Sequence, residues 1–491
     1  MIEHKFKNLI NNEFCTPSSR EVFVRSNPAH HNDIVVAGTL ASVDDIHRTV
    51  ACAERAAPIW AAKSIQSRIR VITKALNHLE TQIYDLSIAV TRENGKPIAE
   101  STAECTRAID AARQNIKFFE EMSQATRTQV GEAQGVLLYE PLGTALLITP
   151  WNFPVATVLR KLIPALLCGN SVILKPSEFT PVSAQLICAA FIESEIEPGV
   201  INLIAGGATV GRTLIEIGTF GALSFTGSTT VGLEIAKTLS NGQTRTQLEL
   251  GGKNPLVVCE DANLEAAADA VLSAGMTCSG QWCVGTSRIL VDRKVYEIFI
   301  ELVLTRLLQI RVGDGIDPAT TMGPLINQQQ FEKVLGFLNR VSDDGGKIQL
   351  GGPMSANDRQ GWFVAPTLVT DTPINSALWM KEIFGPVLAM RSFETLDESI
   401  MLCNDSEYGL TASVFTQSKT TASTFLSRVN YGRVSVNTST GLTHPLLPHG
   451  GRRQSGRGEP ENGWHGIRFF SQHKSAYVAG LDMDSIMETF N

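Results

Sequence analysis

The sequence predicts an α/β protein with parallel sheets, divided into two or three domains. From about residue 142 onward, short apolar runs such as GTALLIT and SVILKP alternate with helix-like stretches. Buried strands that alternate with helices are typical of βαβ units in a parallel sheet. A second alternating region follows from about 252 to 440, and a chain of 491 residues is too long for one ordinary hydrophobic core.

Three long helices are predicted before the first sheet. Residues 42–62 open with a Ser-x-x-Asp capping pattern and place Ile46 and Val50 on one helical face. Residues 64–94 are predicted as a second helix that stops at a glycine and a proline, and residues 98–122 as a third.

Composition and charge exclude several classes of protein. The net charge is -7 and the sequence pI is about 5.8, so no basic surface for nucleic acid is predicted. The first residues alternate charged and apolar side chains, which predicts no secretory signal. No apolar run approaches the roughly 18 residues of a membrane helix. We therefore expect a cytoplasmic protein that binds neither nucleic acid nor membrane.

The nine cysteines are scattered and odd in number, so we predict no disulfide framework, and their spacing predicts no metal site. For most of them the expected role is that of a small buried apolar residue. The stretch GQWCVGTSR is different, because its cysteine, Cys283, lies among small residues that a substrate can approach closely.

Polar or glycine-rich motifs follow four of the predicted strands. These motifs are PWN, KPSE, AGG and FTGS, each at the end of a short apolar run. Ligands of open parallel sheets bind at the carboxyl ends of the strands. The clustering therefore predicts a ligand site at one edge of the first sheet.

Motifs spread along the whole chain occur in the order PWNFP, KPSE, FTGSTTVG, LELGGKNP, GQWC and EIFGPV. In this order they resemble the NAD(P)-dependent aldehyde dehydrogenase superfamily. The resemblance implies a parallel-sheet dinucleotide-binding domain at 1–122 and 142–251, a second α/β catalytic domain at 252–440, and a β-strand oligomerisation arm at 123–141 and 467–491. It also implies a small-molecule aldehyde as the substrate and a homodimer or homotetramer as the assembly.

Oxidation of an aldehyde requires hydride to leave a carbon that has no electron pair to expel it. A thiolate that adds to the carbonyl makes an alkoxide, whose collapse drives the hydride out and leaves a thioester. By the resemblance Cys283 is this nucleophile, because the family motif places it two residues after the Gly-Gln pair; the nearby Cys278 is the rival. Asn152 and the backbone N–H of Cys283 would stabilise the alkoxide.

The resemblance also identifies Glu249 as the general base that hydrolyses the thioester. A carboxylate after an apolar run is partly desolvated, which raises its pKa toward the range suited to a base. The CoA-acylating branch of the family generally lacks this glutamate, so water is the expected acyl acceptor. A non-catalytic structural protein on the same fold is an alternative, and the presence of Cys283, Glu249 and Asn152 argues against it.

The expected cofactor is NAD, although NADP stays open. No G-x-G-x-x-G motif follows a predicted strand; in FTGSTTVG, Gly227 allows close approach and Ser228 opens a helix that can meet a pyrophosphate. By the resemblance, Glu178 accepts hydrogen bonds from the ribose hydroxyls of the cofactor and repels a 2′-phosphate. The resemblance implies cofactor contacts with Thr149, Pro150, Trp151, Lys175, Ser177, Glu178, Thr226, Gly227, Ser228, Val231, Leu250, Gly251, Glu382 and Phe384.

The substrate is suggested by Arg160, which stands where many relatives that take neutral aldehydes have an aromatic residue. A guanidinium binds carboxylates in fork geometry, so Arg160 predicts an aldehyde with a distal acid group. Succinate semialdehyde and 2-oxoglutarate semialdehyde both fit, since Thr277 and Gly285 depart from the pattern of succinate semialdehyde dehydrogenases.

Two further substrate-binding candidates are Phe153 and His449. The family usually has an aromatic residue at the place of His449, and loop histidines such as His444 and His449 are expected to be solvated. The alternative is a broad-specificity dehydrogenase of neutral aliphatic or aromatic aldehydes, in which Arg160 is a surface cation.

Overall fold

The computed structural model describes residues 4–122, 126–352 and 360–488. Parts of the predicted domains and arm, namely 1–3, 123–125, 353–359 and 489–491, lie outside the described residues. The helices are α1 (Val43–Ala61), α2 (Ile65–Thr81), α3 (Ile83–Asn94), α4 (Ile98–Met122), α5 (Ala156–Leu167), α6 (Pro181–Glu193), α7 (Ala208–Ile217), α8 (Thr229–Thr238), α9 (Leu264–Met276), α10 (Tyr296–Leu307), α11 (Gln328–Leu338), α12 (Ala377–Met380), α13 (Leu396–Asn404), α14 (Lys419–Arg428), α15 (Gly463–Arg468) and α16 (Met483–Glu488).

The strands are β1 (His4–Lys5), β2 (Asn8–Ile10), β3 (Glu13–Cys15), β4 (Val22–Asn27), β5 (His30–Thr39), β6 (Thr126–Val130), β7 (Ala133–Pro141), β8 (Thr144–Ile148), β9 (Ser171–Lys175), β10 (Ile201–Leu203), β11 (Ala222–Thr226), β12 (Arg245–Glu249), β13 (Asn254–Val258), β14 (Thr286–Asp292), β15 (Lys347–Leu350), β16 (Thr367–Thr370), β17 (Val387–Phe393), β18 (Tyr408–Gly409), β19 (Thr411–Phe415), β20 (Arg433–Val436), β21 (Arg452–Arg453), β22 (Gly456–Arg457) and β23 (Ser471–Ala479).

The larger sheet has eight strands in the order β22-β12-β11-β8-β9-β10-β2-β3. Its central strands, from β12 to β10, are parallel. Successive residues of β8 pack on opposite faces: Leu147 joins a core with α5 and α6, whereas Leu146 joins one with α1 and α8. Because both faces are buried, these strands are apolar throughout, and the predicted α/β fold with parallel sheets is confirmed.

The predicted helix over 64–94 is two helices, so this prediction is wrong in one respect. The chain leaves helical geometry at Gln82, between α2 and α3. The break reorients the chain so that Leu86 of α3 and Leu79 of α2 reach the same core. The helix predicted over 98–122 is confirmed as α4. No helix in the described chain is both long and apolar enough to cross a membrane.

The second sheet has seven strands in the order β15-β16-β17-β14-β13-β19-β20. All its neighbours are parallel except β15 and β16. Leu290 of β14 packs in a core with α11 on one face, and Ile289 packs with α9 and α10 on the other. The second α/β region expected from the sequence is therefore present.

A separate antiparallel sheet has the order β23-β7-β6. β23 pairs with β7 along its whole length, from Ser471 opposite Pro141 to Ala479 opposite Ala133. β23 is an edge strand, as the alternating sequence predicted. The arm segment predicted from residue 467 starts too early, because Ile467 belongs to α15 and is buried in the core of the larger sheet.

Candidate active site

The strands of the larger sheet that carry the sequence motifs end at one edge. β8 and β9 end in register at Ile148 and Lys175, and β11 and β12 end in register at Thr226 and Glu249. KPSE and FTGS begin in the last residues of β9 and β11, and PWN and AGG follow shortly after β8 and β10. The predicted clustering of these motifs is confirmed.

Cys283 lies in the loop that joins α9 to β14, here called the Cys283 loop (residues 277–285). Its first part is strained, because Cys278, Ser279 and Gly280 have left-handed φ angles of 52°, 56° and 71°. Consecutive left-handed residues other than glycine persist only where the surroundings hold them. The Gln281 side chain does so by donating to the Cys278 carbonyl at 2.9 Å.

Cys283 is a partly exposed residue, whereas the rival Cys278 is buried. Burial raises the pKa of the Cys283 thiol to about 12, and the carboxylate of Glu382 adds to this, against the opposing charge of Arg160. The thiol is therefore protonated in the resting protein and needs a base before it can attack. Accessibility favours Cys283 over Cys278 as the nucleophile.

The Asn152 side chain is buried beside the Cys283 loop. Its Nδ2 donates to the carbonyl oxygen of Gln281 at 2.9 Å, which fixes the amide and leaves its second N–H available. The backbone N–H of Cys283 donates to no other described residue. The sequence-predicted pair of alkoxide donors is thus brought to one place, with free N–H groups.

A buried ion pair lies behind Asn152, and sequence reasoning missed it. Lys96 Nζ donates to the Asn152 carbonyl oxygen at 2.5 Å and to Glu104 Oε2 at 2.7 Å. Glu104 Oε1 accepts from the backbone N–H groups of Val155 and Ala156 at the start of α5. The available signal was a glutamate on the apolar face of the third predicted helix.

Glu249, the last residue of β12, is buried, as its position after an apolar run predicted. One carboxylate oxygen, Oε2, has no hydrogen-bond partner in the part of the chain that the structure describes. Burial raises the Glu249 pKa well above its usual range, and repulsion by Glu461 adds to the effect. A Cβ atom at position 450 would lie 3.3 Å from Glu249 Oε1, so Gly450 leaves room beside the carboxylate.

Glu461 is a second buried carboxylate of this site, and nothing in the sequence pointed to it. Its side chain accepts from Lys161, which is fully buried, and from Arg160 Nη1 at 3.3 Å. Burial alone would raise the Glu461 pKa, but the two cations outweigh it and hold the pKa below its usual range. Glu461 is therefore the more acidic of the two carboxyl groups, and Glu249 is the more basic.

The substrate-binding candidates differ from expectation in two ways. Arg160 is partly exposed and already ion-paired with Glu461. His449 is 5% exposed, so the expectation of a solvated loop histidine is wrong for this residue, although His444 is exposed. Antiparallel backbone bonds between His449 and Glu461 hold the loop inside the protein. Phe153 stacks against Trp282 of the Cys283 loop with ring centroids 5.6 Å apart.

The residues expected at the adenine end line the sheet edge beyond β9. Lys175 and Ser177 are buried, and Lys175 Nζ donates to the Pro176 carbonyl at 3.1 Å. A Cβ atom at Gly207 would lie 3.1 Å from Glu178 Oε1, so glycine keeps the space over that carboxylate open. The buried Thr149 hydroxyl has no hydrogen-bond partner among the described residues, which suits a group that a ligand satisfies.

The FTGS motif forms the N-terminus of α8, as predicted. The Ser228 hydroxyl accepts from the Val231 N–H at 3.4 Å and caps the helix. Gly227 donates to the carbonyl oxygen of Glu249, and Thr229 Oγ1 accepts from Gly251. Leu250, which follows Glu249, packs in the core beneath α8. These two bonds join the N-terminus of α8 to the end of β12, next to the candidate base Glu249.

The EIFGPV motif closes the other side of this edge. Glu382 Oε1 accepts from the Gly252 N–H at 2.8 Å, and burial raises the Glu382 pKa. Phe384 has a left-handed φ of 61° and packs edge-on against Trp151, with ring centroids 5.4 Å apart. Pro150 precedes that tryptophan in the same turn. The predicted nicotinamide-side residues therefore meet beside the Cys283 loop.

Together the fold and site define an α/β oxidoreductase, with a dinucleotide cradle at the ends of parallel strands beside a thiol, an amide and a carboxyl group. The model of the aldehyde dehydrogenase family matches residues 14–476. The chain belongs to the aldehyde dehydrogenase family, whose members are NAD(P)-dependent oxidoreductases. The resemblance drawn from the motifs is confirmed.

Individual relatives agree on the family and differ in substrate. The chain is 32% identical over 482 residues to the alpha-ketoglutaric semialdehyde dehydrogenase of Bacillus subtilis strain 168, covering 97% of this chain and 98% of that protein. It is 34% identical over 444 residues to a betaine aldehyde dehydrogenase of Cereibacter sphaeroides, covering 90% of each. An NAD-dependent aldehyde dehydrogenase from Sinorhizobium meliloti superimposes with a TM-score of 0.94 at 30% identity, over 98% of this chain and 96% of that chain.

Proposed function

We propose that this protein oxidises an aldehyde with a distal carboxylate to the free acid, with NAD as the preferred cofactor and water as the acyl acceptor. One observation carries the reaction. A partly exposed cysteine, an amide with a free N–H and a buried carboxyl group with an unpartnered oxygen converge at the Cys283 loop. In the proposal Cys283 is the nucleophile, Asn152 the alkoxide donor and Glu249 the base.

The first step forms a bond between Cys283 Sγ and the aldehyde carbon. The thiol gives its proton to solvent water, and the carbonyl π electrons move onto oxygen to give an alkoxide. The Asn152 Nδ2–H and the Cys283 backbone N–H face that oxygen as pre-oriented donors, whose placement costs no reorganisation during the reaction. When bound, the nicotinamide cofactor accepts the hydride that leaves as the alkoxide collapses to a thioester.

The second step breaks the C–S bond. Ionised Glu249 takes a proton from water as the water oxygen attacks the thioester carbonyl, and the sulfur leaves as a thiolate that takes this proton back. Glu461 holds a negative charge next to Glu249 and raises its proton affinity. Lys161 and Arg160 lower the pKa of Glu461, so Glu249 is the more basic of the two carboxyl groups.

The residues expected to hold the dinucleotide fit it. Thr149 has an orphaned buried hydroxyl, Gly207 leaves space over Glu178, and α8 opens with a capped N-terminus at Ser228. NAD is preferred in the proposal because the Glu178 carboxylate repels a 2′-phosphate. The nearby Arg25, which donates to the Glu178 carbonyl at 2.9 Å, keeps NADP open.

The charge balance supports an anionic substrate. Arg160, Lys161 and Arg433 are three cationic groups that act on this site, against the two carboxyl groups of Glu461 and Glu249. A distal carboxylate offsets the excess positive charge, and the cation of betaine aldehyde would add to it. This favours the semialdehyde type of relative over the betaine aldehyde type, with succinate semialdehyde and 2-oxoglutarate semialdehyde as the candidate substrates.

Formation of NADH from a panel of aldehydes tests the proposed function. We expect succinate semialdehyde and 2-oxoglutarate semialdehyde to give higher kcat/KM values than pentanal or benzaldehyde. Cys283→Ser should abolish turnover, and Cys15→Ser, at a partly exposed cysteine of β3, serves as the matched control. Mass spectrometry of quenched turnover should locate the acyl group on Cys283; its location on another residue contradicts the mechanism.

We also propose a division into domains and a mode of assembly. We assign the eight-stranded sheet to dinucleotide binding and the seven-stranded sheet to the catalytic domain. The exposed edge strand β23 is then the element through which copies assemble as a homodimer or homotetramer in the cytoplasm. Light scattering of the full chain and of a Tyr477→Lys variant, at a residue of β23 that is 66% exposed, tests the assembly.

A further inference from the structure

Two arginines lie near the thiol of Cys283, and they are paired differently. Arg160 has the carboxylate of Glu461 as its partner at 3.3 Å. Arg433 has no carboxylate partner in the described ranges, 4–122, 126–352 and 360–488. Its guanidinium is largely removed from water, and burial lowers the Arg433 pKa to about 10, so it stays charged at neutral pH. Of the two arginines, Arg433 is the one without a carboxylate partner in the described chain.

Arg433 begins β20, the edge strand of the seven-stranded sheet, and its side chain reaches the substrate side. The guanidinium donates to the carbonyl oxygens of Leu442 and Thr440, the latter at 3.5 Å. The same loop touches the Cys283 loop, because a Cβ atom at Gly441 would lie 2.4 Å from the Trp282 ring. Arg433 therefore borders the space in front of the nucleophile.

Arg433 also determines which nitrogen of His449 carries the proton. Arg433 Nη1 lies 3.3 Å from His449 Nδ1, and a guanidinium only donates, so Nδ1 accepts. Burial and the neighbouring arginines hold the His449 pKa well below its usual value, which keeps the ring neutral. The neutral ring consequently carries its hydrogen on Nε2, and that atom bonds to no other group in the described chain.

The two side chains thus present free donors together. Arg433 has five N–H groups, and its bonds to Leu442, Thr440 and His449 leave some of them without a protein acceptor. The His449 Nε2–H is the neighbouring free donor. A charged donor beside a neutral one matches a carboxylate that must be held at one end of a substrate.

We propose that Arg433 and the Nε2–H of His449 form the subsite for the distal carboxylate of the substrate. The inference rests on the proposed function and assigns the carboxylate to a different residue from the one that the sequence suggested. Arg160 is then a positioning residue, which acts through Glu461 on the base Glu249.

The test compares succinate semialdehyde with pentanal, a neutral aldehyde of similar length, in the full-length protein with NAD. The readout is the ratio of the two kcat/KM values. Loss of a hydrogen bond to a charged group corresponds to about a 10- to 100-fold effect, so Arg433→Gln should lower this ratio about 10- to 100-fold, mainly through KM. His449→Phe should lower the ratio in the same direction. Arg160→Gln should lower kcat for both substrates and leave the ratio within about threefold.

The matched arginine variants separate the outcomes. If Arg160→Gln collapses the ratio and Arg433→Gln does not, the carboxylate binds Arg160 and the inference is overturned. If Arg433→Gln lowers kcat/KM equally for both substrates, the arginine only supports its loop. That result also overturns the inference. Arg433→Lys keeps the charge and replaces the glutamine variant in the test if that variant does not fold. We expect its ratio of kcat/KM values to lie between those of the wild type and Arg433→Gln. If the proposed function is wrong, the wild-type protein itself will not prefer succinate semialdehyde to pentanal, which distinguishes that failure from a failure of the inference.

Discussion

Lys96 Nζ lies 2.5 Å from the carbonyl oxygen of Asn152, at a point where both residues are buried. The same ammonium is paired with Glu104, whose carboxylate holds the first N–H groups of α5. The proposed alkoxide donor is therefore attached through its backbone to a buried ion pair. Ion pairs of this kind need both partners, since removal of one leaves an unpaired buried charge.

This relationship predicts that Lys96 acts on kcat. Lys96→Met should lower kcat about 10- to 100-fold with a small change in KM, because a shifted Asn152 loses contact mainly with the alkoxide. The measurement is steady-state NADH formation, with thermal unfolding recorded alongside. Lys96→Arg, which restores the charge, should recover part of kcat. A KM effect without a kcat effect contradicts the positioning role.

Replacement of the proposed base should separate the two chemical steps. In Glu249→Gln the thioester can still form but water is not activated, so the acyl group should remain on Cys283. Rapid mixing should show one NADH per active site, followed by a steady rate lowered about 100-fold or more. Glu260→Gln, at an exposed carboxylate of the second region, is the control. Loss of the burst as well as the steady rate would mean that Glu249 acts before hydride transfer.

The pair of buried carboxyl groups predicts the direction of a pH shift. Activity depends on ionised Glu249, so kcat should rise with pH through the raised Glu249 pKa. Glu461→Gln removes the repelling charge, lowers the Glu249 pKa and should move this rise to lower pH. Lys161→Met removes an attracting charge and should move it to higher pH. The pH profile of kcat in the two variants checks the signs, and shifts in the same direction contradict the coupling.

Cofactor choice should respond to Glu178. Glu178→Gln removes the charge that repels a 2′-phosphate, and Arg25 lies beside it as a potential partner. The ratio of kcat/KM for NADP to that for NAD should therefore rise about 10-fold or more. Glu193→Gln, at an exposed carboxylate of α6, is the matched control. An unchanged ratio would assign cofactor choice to other residues.

Much of this protein follows from local sequence. Alternating apolar runs predict the parallel sheets, because a strand buried on both faces has no polar side. The Gly-Gln pair marks Cys283, and a carboxylate after the apolar run of β12 marks a desolvated Glu249. The long helix 64–94 was predicted without its break, because packing of α3 against the core, and not local propensity, decides the turn at Gln82.

The rest was decided by tertiary structure, because charge balance and burial depend on residues far apart in the chain. Glu461 lies 300 positions after Lys161, yet their ion pair determines which carboxyl group is the more acidic. His449 stands in a loop, and its pairing with Glu461 buries it. Arg160 stood out in the sequence, whereas of the two arginines near Cys283 it is Arg433 that has no carboxylate partner in the described chain.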